Sequence, residues 1–254
     1  MKVVITGASS GVGRALAAEY ARRGATLALL ARRRDALDQL AATLPARSFC
    51  YEADVRDAAA LASAARDFHA RAGCPDIVIA NAGISMGTHT GAAEDNQVFA
   101  DILATNVTGM MLTFQPYVDA MRERGSGILA GIASVAGFRG LPGASAYSAS
   151  KAAAITYLES LRLEMRGSGV HVVTICPGYI DTDMTRGNPY PMPFLMAPEA
   201  AARNIADAVA ARKRFHVLPW QMACVGAVLR RLPRPLYDRL FARAPRKPRR
   251  ASAG

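Results

Sequence analysis

The sequence predicts an α/β protein with a doubly wound parallel β-sheet and helices on both faces. Three observations lead to this fold class. Short β-branched or apolar runs alternate with amphipathic segments of helical length. The run Ile77–Ala80 is apolar at every position, as are strands that are buried on both faces of a parallel sheet. A length of 254 residues with 51% hydrophobic residues suits one such domain with an appendage.

Each predicted element follows from a local pattern. The β-branched run Lys2–Thr6 predicts the first strand, and residues 14–23 predict a helix with Leu16, Ala17 and Tyr20 on one face, ended by Gly24. The alternation continues along the chain. The other predicted strands are residues 25–30, 47–51, 76–80, 127–133 and 170–175, and the other predicted helices are residues 34–44, 58–72, a long helix that includes 96–121, and 145–166.

Charge divides the chain into two predicted parts. Residues 1–211 carry nineteen basic and nineteen acidic side chains, whereas residues 212–254 carry twelve basic residues and one acidic residue. We therefore predict a main domain over 1–211 and a basic C-terminal extension over 212–254. A main domain without net charge has no general attraction to polyanions. Nucleic-acid binding is not expected, because the extension has no aromatic stacking platform and no recognisable motif.

The cysteines and the N-terminus indicate a cytoplasmic protein. Cys50, Cys74, Cys176 and Cys224 lie far apart, without a CxxC pair or a histidine at metal-ligand spacing. Neither a disulfide framework nor a metal site is therefore expected, and free thiols suit a reducing compartment. No charged and apolar leader precedes the first strand, and no apolar run is long enough to cross a membrane.

A glycine-rich turn between the first strand and the first helix predicts a dinucleotide site. Glycines allow a tight turn and let the backbone approach a pyrophosphate, which the positive N-terminus of the helix then stabilises. Serine hydroxyls in the turn add donors. The predicted cofactor contacts in this turn are Gly7, Ser9, Ser10, Gly11, Val12 and Gly13.

The end of the second predicted strand indicates which nucleotide binds. A carboxylate at this point would hold the ribose hydroxyls of NAD, but the sequence here is Ala31-Arg32-Arg33-Arg34, with no acidic residue. Arg32 can bind a 2′-phosphate through its planar guanidinium, and Arg14 in the first helical turn is a second candidate. We interpret Arg33 and Arg34 as a solvated charge run. NADP(H) is therefore the predicted cofactor.

Tyr147 and Lys151 lie four residues apart, on one face of a predicted helix. An isolated tyrosine has a pKa of about 10, and a cation within a few ångströms lowers that pKa by favouring the phenolate. A phenol tuned in this way can protonate a carbonyl oxygen while hydride reaches the carbon. The pair therefore predicts general acid–base chemistry on a carbonyl or an alcohol.

Several motifs, in this order, resemble the short-chain dehydrogenases/reductases of the NADP(H)-preferring Tyr-x-x-x-Lys type. They are TGASSGVG at 6–13, Asn81-Ala82-Gly83, Asn106, Ser134, Tyr147 with Lys151, and Pro177-Gly178. The resemblance extends from residue 1 to about residue 210. It implies a Rossmann-type fold and hydride transfer between NADP(H) and a small-molecule carbonyl or secondary alcohol. It also implies a homodimer or homotetramer that is formed through the helices near 96–121 and 145–166.

The resemblance also assigns roles to residues. It implies that Tyr147 donates and accepts the proton, that Lys151 lowers the pKa of Tyr147 and holds the nicotinamide ribose, and that Ser134 binds the substrate oxygen. Asn106 would kink a central helix and support a proton-relay water. The other implied cofactor contacts are Asp54 and Val55 at the adenine, Asn81, Ala82 and Gly83 along the cofactor, the Pro177-Gly178 ligand loop, and Ile180 and Thr182 at the carboxamide.

The segment 183–197 predicts an apolar lid. Its prolines exclude a long regular helix, and its apolar residues are an unusual choice for a solvated loop: Met184, Met192, Phe194, Leu195 and Met196. The resemblance implies that this region covers the substrate, which favours an apolar or lipid-like substrate. The predicted pocket walls are Ile84, Phe138, Leu141, Met184 and Phe194, with packing against a neighbouring helix as the alternative for each.

The basic extension leaves alternatives open. Its apolar parts are residues 217–229 and the apolar positions within 236–241. They either contact an anionic membrane or pack on the fold or on a subunit. We expect packing for the apolar part and a surface role for residues 246–250. The alternative function is a cofactor-gated binding protein that docks to a membrane or a partner through this extension, with vestigial catalysis.

Overall fold

The computed structural model describes residues 1–249 and contains a seven-stranded parallel sheet. Its strand order is β3-β2-β1-β4-β5-β6-β7. The strands are β1 (Lys2–Thr6), β2 (Thr26–Ala31), β3 (Ser48–Glu52), β4 (Ile77–Ala80), β5 (Gly127–Ile132), β6 (Val170–Pro177) and β7 (Phe215–Leu218). All neighbouring strands pair in parallel. The predicted Rossmann-type fold class is confirmed.

Helices connect successive strands and cover the sheet. They are α1 (Gly11–Arg22), α2 (Arg34–Thr43), α3 (Ala58–Ala72), α4 (Asn96–Leu103), α5 (Gly109–Arg124), α6 (Ser145–Glu164), α7 (Asp183–Arg186), α8 (Pro198–Ala210), α9 (Trp220–Arg231) and α10 (Arg234–Phe241). The start of α3 shows how the sequence places a helix boundary. The Asp57 carboxylate accepts hydrogen bonds from the Ala59 and Ala60 amides, which no carbonyl within the helix can satisfy.

Two apolar cores lie on opposite faces of the sheet, because successive side chains of a strand point to opposite faces. Val3 and Ile5 belong to the core beneath α1, α2 and α8, whereas Val4 belongs to the core beneath α3, α5 and α6. All three side chains are fully buried. Burial of an aliphatic side chain of this size contributes about 2 kcal/mol, so a strand with no polar position stabilises both layers at once.

The prediction of a single long helix through 96–121 is wrong in one respect. The helix is interrupted by a π-helical turn over Ala104–Thr108, which separates α4 from α5. Asn106 lies in this turn, where the family resemblance implies a kink. A π-turn inserts an extra residue between hydrogen-bonded partners, and this changes the direction in which nearby side chains point. Hydrophobic periodicity alone does not reveal such an insertion.

The predicted basic extension contributes to the main fold. Its residues Phe215–Leu218 form β7, which completes the sheet beside β6, so the sheet does not end at the predicted boundary of residue 211. Two hydrogen bonds then fix the last helices. The Arg139 guanidinium donates to the Leu229 carbonyl at 2.8 Å, and the Tyr237 hydroxyl donates to the Gly140 carbonyl at 2.7 Å. Within residues 1–249, no helix is both long enough and apolar enough to span a bilayer.

Candidate active site

A cavity of about 360 Å³ lies at the carboxyl ends of the parallel strands. The segments that follow β1 to β6 all contribute to its walls. Most of the predicted cofactor and catalytic residues line it together: Gly7, Ser9, Ser10, Gly11, Val12, Arg32, Asp54, Val55, Asn81, Ala82, Gly83, Ser134, Tyr147, Lys151, Pro177, Gly178, Ile180 and Thr182. Parallel strands bring these residues to one edge although they are spread over 176 positions.

The glycine turn forms one end of the cavity and has the features that a pyrophosphate requires. Gly7 and Gly11 have φ values of +66° and +52°, which side chains other than glycine rarely adopt. A Cβ atom on Gly13 would overlap the Gly7 carbonyl oxygen. The first turn of α1 contains no acidic residue, and the Ser10 side chain makes no capping hydrogen bond. The free amides of this helix end therefore fit an anion.

Two arginines follow β2 at the same end of the cavity. Arg32 and Arg33 both line it, and the Arg33 guanidinium donates a hydrogen bond of 3.4 Å to the Ser9 hydroxyl. Arg33 therefore lines the cavity although its side chain is exposed, as predicted for a solvated charge run, whereas Arg34 forms an ion pair of 2.8 Å with Asp38 on its own helix. Arg14, the second predicted phosphate contact, is exposed and is not among the residues that line the cavity.

Ser134, Tyr147 and Lys151 meet at the other end of the cavity. Ser134 follows β5, and its hydroxyl oxygen accepts a hydrogen bond of 3.1 Å from the Ala136 amide. Lys151 is 4% exposed, and its ammonium donates to the Ile132 carbonyl at 2.8 Å. The Lys151 nitrogen lies 5.7 Å from the centre of the Tyr147 ring. An ammonium has three donors, so two remain to face a ligand.

Burial shifts both titrating groups towards their neutral forms. Burial raises the pKa of Tyr147, and the adjacent Ser134 hydroxyl only partly offsets this rise, so the direction is opposite to the predicted lowering by Lys151. Burial lowers the pKa of Lys151 to about 8. Because a low dielectric disfavours charge, the cleft keeps the tyrosine protonated and ready to donate at neutral pH. Lys151 remains largely protonated at pH 7 and loses its proton at mildly alkaline pH.

Titration of Lys151 should appear in the stability of the protein. The folded pKa of about 8 lies below the unfolded value of 10.5, so the unfolded chain binds more protons between these values and stability rises with pH there. From about pH 7 to pH 9.5 this group should add about 2 kcal/mol to the free energy of unfolding. Urea unfolding at both pH values should show this gain in the parent and not in Lys151→Met. The exposed Lys213→Met control should keep it, and an identical pH dependence in Lys151→Met would contradict the assignment.

Asn106 lies beside the cavity and is not among the residues that line it. Its amide oxygen accepts from the Ile84 amide at 2.8 Å, and its amide nitrogen donates to the Ile84 carbonyl and the Ser150 hydroxyl, each at 2.9 Å. Both donors and one acceptor site are thus used within the protein. The side chain ties the segment after β4 to the helix that carries Lys151, which makes Asn106 a positioning residue. The predicted proton-relay role stays a prediction.

Asp54 and Asn81 show how their segments are held at the cavity. The Asp54 carboxylate binds the Arg56 guanidinium at 2.8 Å, and this hydrogen-bonded ion pair lowers the pKa of Asp54. The Asn81 amide donates to the Thr6 carbonyl at 3.0 Å and so joins the end of β4 to the glycine turn. Both residues therefore brace the strand ends from which the cavity is built.

The predicted substrate walls are only partly correct. Ile84 and Met184 line the cavity, but Phe138, Leu141 and Phe194 do not. Phe138 instead stacks on Phe215, with ring centres 6.1 Å apart, beneath the Arg230 guanidinium. It therefore packs against β7 and α9, and packing against a neighbouring helix is the alternative that was left open for it. Phe194 is 47% exposed.

Sequence reasoning missed several residues at the site. Thr105, Asp183 and Thr185 line the cavity beside predicted neighbours. Tyr190 lies near Tyr147, and burial raises the pKa of Tyr190 to about 12. Tyr190 was detectable as a tyrosine between two prolines of the predicted lid. Lys247, far along the chain, has its nitrogen 5.6 Å from the centre of the Tyr147 ring, and no local pattern indicates this.

Comparison with known proteins identifies the family. The family model described as short chain dehydrogenase matches residues 1–190. The chain belongs to the short-chain dehydrogenases. As a member of this family, it is an oxidoreductase that binds a nicotinamide cofactor.

Relatives support this membership over most of the chain. An uncharacterised oxidoreductase of Myxococcus xanthus is 40% identical over 238 residues, which cover 92% of this chain and 94% of the relative. A short-chain dehydrogenase structure from Streptomyces avermitilis matches with a TM-score of 0.78 and 30% identity, covering 89% of this chain and 91% of that one. An alcohol dehydrogenase structure from Thermococcus sibiricus, complexed with 5-hydroxy-NADP, has a TM-score of 0.75 and 25% identity over 85% of this chain and 94% of that one.

Proposed function

We propose that this protein is an NADP(H)-dependent oxidoreductase that transfers hydride between nicotinamide and a carbonyl or secondary alcohol with an apolar body. One observation carries the proposal. A single cavity has a glycine turn with Arg32 and Arg33 at one end, and Ser134, Tyr147 and Lys151 at the other. The first end suits the phosphates of a dinucleotide, and the second suits a reacting oxygen.

The cofactor end supports NADP(H) over NAD(H). The nicotinamide supplies or accepts the hydride when it is bound. Arg32 and Arg33 present two guanidinium groups to a 2′-phosphate, and Ala31 places no carboxylate there to repel it. The two free donors of Lys151 bind the ribose hydroxyls. The NADP analogue in the Thermococcus sibiricus enzyme is a precedent within the same fold.

The catalytic end supports proton transfer by Tyr147. In reduction, the Tyr147 hydroxyl donates its proton to the carbonyl oxygen as the carbon becomes tetrahedral, and in oxidation it accepts the proton back. In the structure the Ser134 hydroxyl donates a long hydrogen bond of 3.4 Å to the Pro177 carbonyl, and on substrate binding it donates instead to the reacting oxygen. Lys151 stabilises the tyrosinate that remains after donation.

An apolar substrate body is supported by the segment after β6. Met184 and Ile84 both line the cavity. Met184, Phe194 and Leu195 are 42%, 47% and 46% exposed, which is costly for side chains of this size unless they meet an apolar ligand. These residues form the lid that covers the substrate.

The test is consumption of NADPH, with NADH measured alongside, against methyl ketones of increasing chain length. We expect rates that rise with chain length and are higher with NADPH, because each buried CH₂ group contributes about 0.8 kcal/mol. Better rates with small polar or cyclic ketones would remove the apolar body from the proposal. Tight NADPH binding without turnover of any carbonyl would instead favour the cofactor-gated binding protein.

We also propose that the C-terminal patch rests on an anionic membrane surface. This patch consists of Trp220, Val225, Val228, Leu236 and Leu240, which are 71%, 38%, 63%, 46% and 61% exposed. Exposed arginines of α9 and α10 surround it, and such a combination favours anionic headgroups. The NADPH-oxidising activity should therefore sediment with phosphatidylglycerol vesicles at low salt and not with phosphatidylcholine vesicles. A Trp220→Ser/Leu240→Ser chain should remain in the supernatant, and equal sedimentation of both chains would contradict the proposal.

A further inference from the structure

The C-terminal tail, residues 242–249, returns to the active-site edge of the sheet after α10. The Gly87 amide donates to the Pro248 carbonyl at 2.8 Å, and Gly143 lies directly against the Arg246 side chain. Gly87 lies in the segment after β4 and Gly143 in the segment after β5. Gly143 lies just before α6, which carries Tyr147, so the tail passes close to the catalytic end of the cavity.

Two ion pairs hold the end of the tail in this path. The Arg249 guanidinium contacts Glu94 and Asp95, each at 2.8 Å. The hydrogen bond with Arg249 lowers the pKa of Asp95, whereas the pKa of Glu94 is lowered first by a backbone hydrogen bond and then by Arg249. Within the run 246–250, for which a surface role is expected, Arg249 is thus paired with residues of the 3₁₀ turn at 93–95, while Arg250 lies outside the described residues. An anchor at Arg249 fixes the position of the preceding Lys247.

Lys247 places an ammonium beside the catalytic tyrosine. Its nitrogen lies 5.6 Å from the centre of the Tyr147 ring, and that of Lys151 lies 5.7 Å from the same point. The residue is half-buried, and burial lowers the pKa of Lys247. Within residues 1–249, no carboxylate pairs with this ammonium and no hydrogen-bond acceptor binds it, in contrast to the doubly paired Arg249.

A partly desolvated ammonium without a partner is costly, and an anion placed beside it offsets the cost. Lys151 already serves the cofactor side of Tyr147 and binds the Ile132 carbonyl. Lys247 comes from the C-terminal tail, which contributes none of the residues that line the cavity and is not needed for the predicted cofactor contacts.

We propose that Lys247 forms an anion-binding subsite of the substrate cleft and selects carbonyl compounds that carry a carboxylate near the reacting carbon. The proposal rests on the proposed function, because it assigns a substrate class to the same cleft. The apolar lid then covers the body of the substrate while Lys247 binds its charged group. This makes Lys247 a specificity-determining residue rather than a catalytic one.

The test compares oxo acids with their methyl esters. The probes are 4-oxopentanoate, 5-oxohexanoate and 6-oxoheptanoate, each beside its ester, so the carbonyl-to-carboxylate distance varies and the charge is removed at nearly constant shape. For the best acid, Lys247→Met should lower the acid-to-ester ratio of kcat/KM by about ten-fold or more, mainly through KM. Lys247→Arg should keep most of the ratio. The matched control Lys213→Met, an exposed lysine before β7, should leave it unchanged.

Two results would overturn the subsite. One is an acid-to-ester ratio that Lys247→Met leaves unchanged. The other is an equal fall for acid and ester, which would indicate that Lys247 tunes Tyr147 instead. Calorimetric titration of the oxo acids into the NADP⁺ complex separates this proposal from the proposed function. Acid binding that Lys247→Met abolishes, without turnover of acid or ester, would refute only the proposed function. Absence of both acid binding and acid turnover in the parent would refute the subsite.

Discussion

Replacement of Tyr147 by phenylalanine should lower kcat/KM for carbonyl reduction by about a thousand-fold, in the middle of the range for loss of a general acid. The change removes one oxygen and keeps the ring, and with it the contacts of the ring with the ammonium groups of Lys151 and Lys247. The dissociation constant for NADPH, measured by fluorescence, should therefore change little. Single-turnover measurement of NADPH oxidation isolates the chemical step from product release.

Tyr20→Phe is the matched control. Tyr20 is buried in α1, and its hydroxyl has no hydrogen-bond partner among the described residues. Its removal should leave turnover unchanged, since Tyr20 lies at the opposite edge of the sheet, next to Ile77 and Ile128 at the beginnings of β4 and β5. If Tyr147→Phe retained a tenth of the parental activity, Tyr147 would not be the proton donor. A matching loss of NADPH affinity would make its role one of binding.

Replacing both Arg32 and Arg33 by alanine should reduce the preference for NADPH over NADH by about a hundred-fold. Each guanidinium can form a charge-assisted hydrogen bond with the 2′-phosphate, and loss of one such bond at a partly exposed site corresponds to about ten-fold. NADH lacks this phosphate, so its kcat/KM should change little. The ratio of kcat/KM for the two cofactors is the direct measurement, and it should also fall with rising salt in the parent.

The single variant Arg33→Ala and the control Arg34→Ala show which arginine accounts for the loss. Arg33→Ala alone should account for part of the loss, because Arg33 reaches the Ser9 hydroxyl at the edge of the cavity. Arg34→Ala should have no effect on the ratio, since Arg34 is paired with Asp38 on the outside of α2. If the ratio of kcat/KM for NADPH and NADH were unchanged in the double variant, these arginines would be solvated and would not bind the 2′-phosphate.

Local patterns predicted most of the sheet and missed its last strand. Six strands were evident because each is a short apolar run between helical segments. The seventh, Phe215–Leu218, is four residues long and follows the basic stretch Arg212-Lys213-Arg214, where the charge suggested an extension. Its pairing with β6, through partners such as Thr174 and Phe215, is a long-range contact that composition cannot indicate.

The catalytic set and the pocket walls differ in how far the sequence predicted them. Tyr147 and Lys151 were identified by their spacing on one helix and Ser134 by the family resemblance, and all three line the cavity. Which residues line the pocket walls depends on the direction of each side chain and on which segment of the chain packs nearby. Phe138 was expected in the pocket for its size, but it stacks on Phe215, a residue that follows it by 77 positions.

By itself, the sequence determined the fold class, the glycine turn, the arginine run after β2 and the pairing of Tyr147 with Lys151 on one helix. These features follow from hydrophobic period, backbone freedom and spacing within one helix, all of which act over a few residues. Only the tertiary structure decided that Arg33 faces the cavity, that Asn106 braces it and that Lys247 lies against Tyr147. The last contact joins residues 100 positions apart, and it depends on the path that the whole chain takes between them.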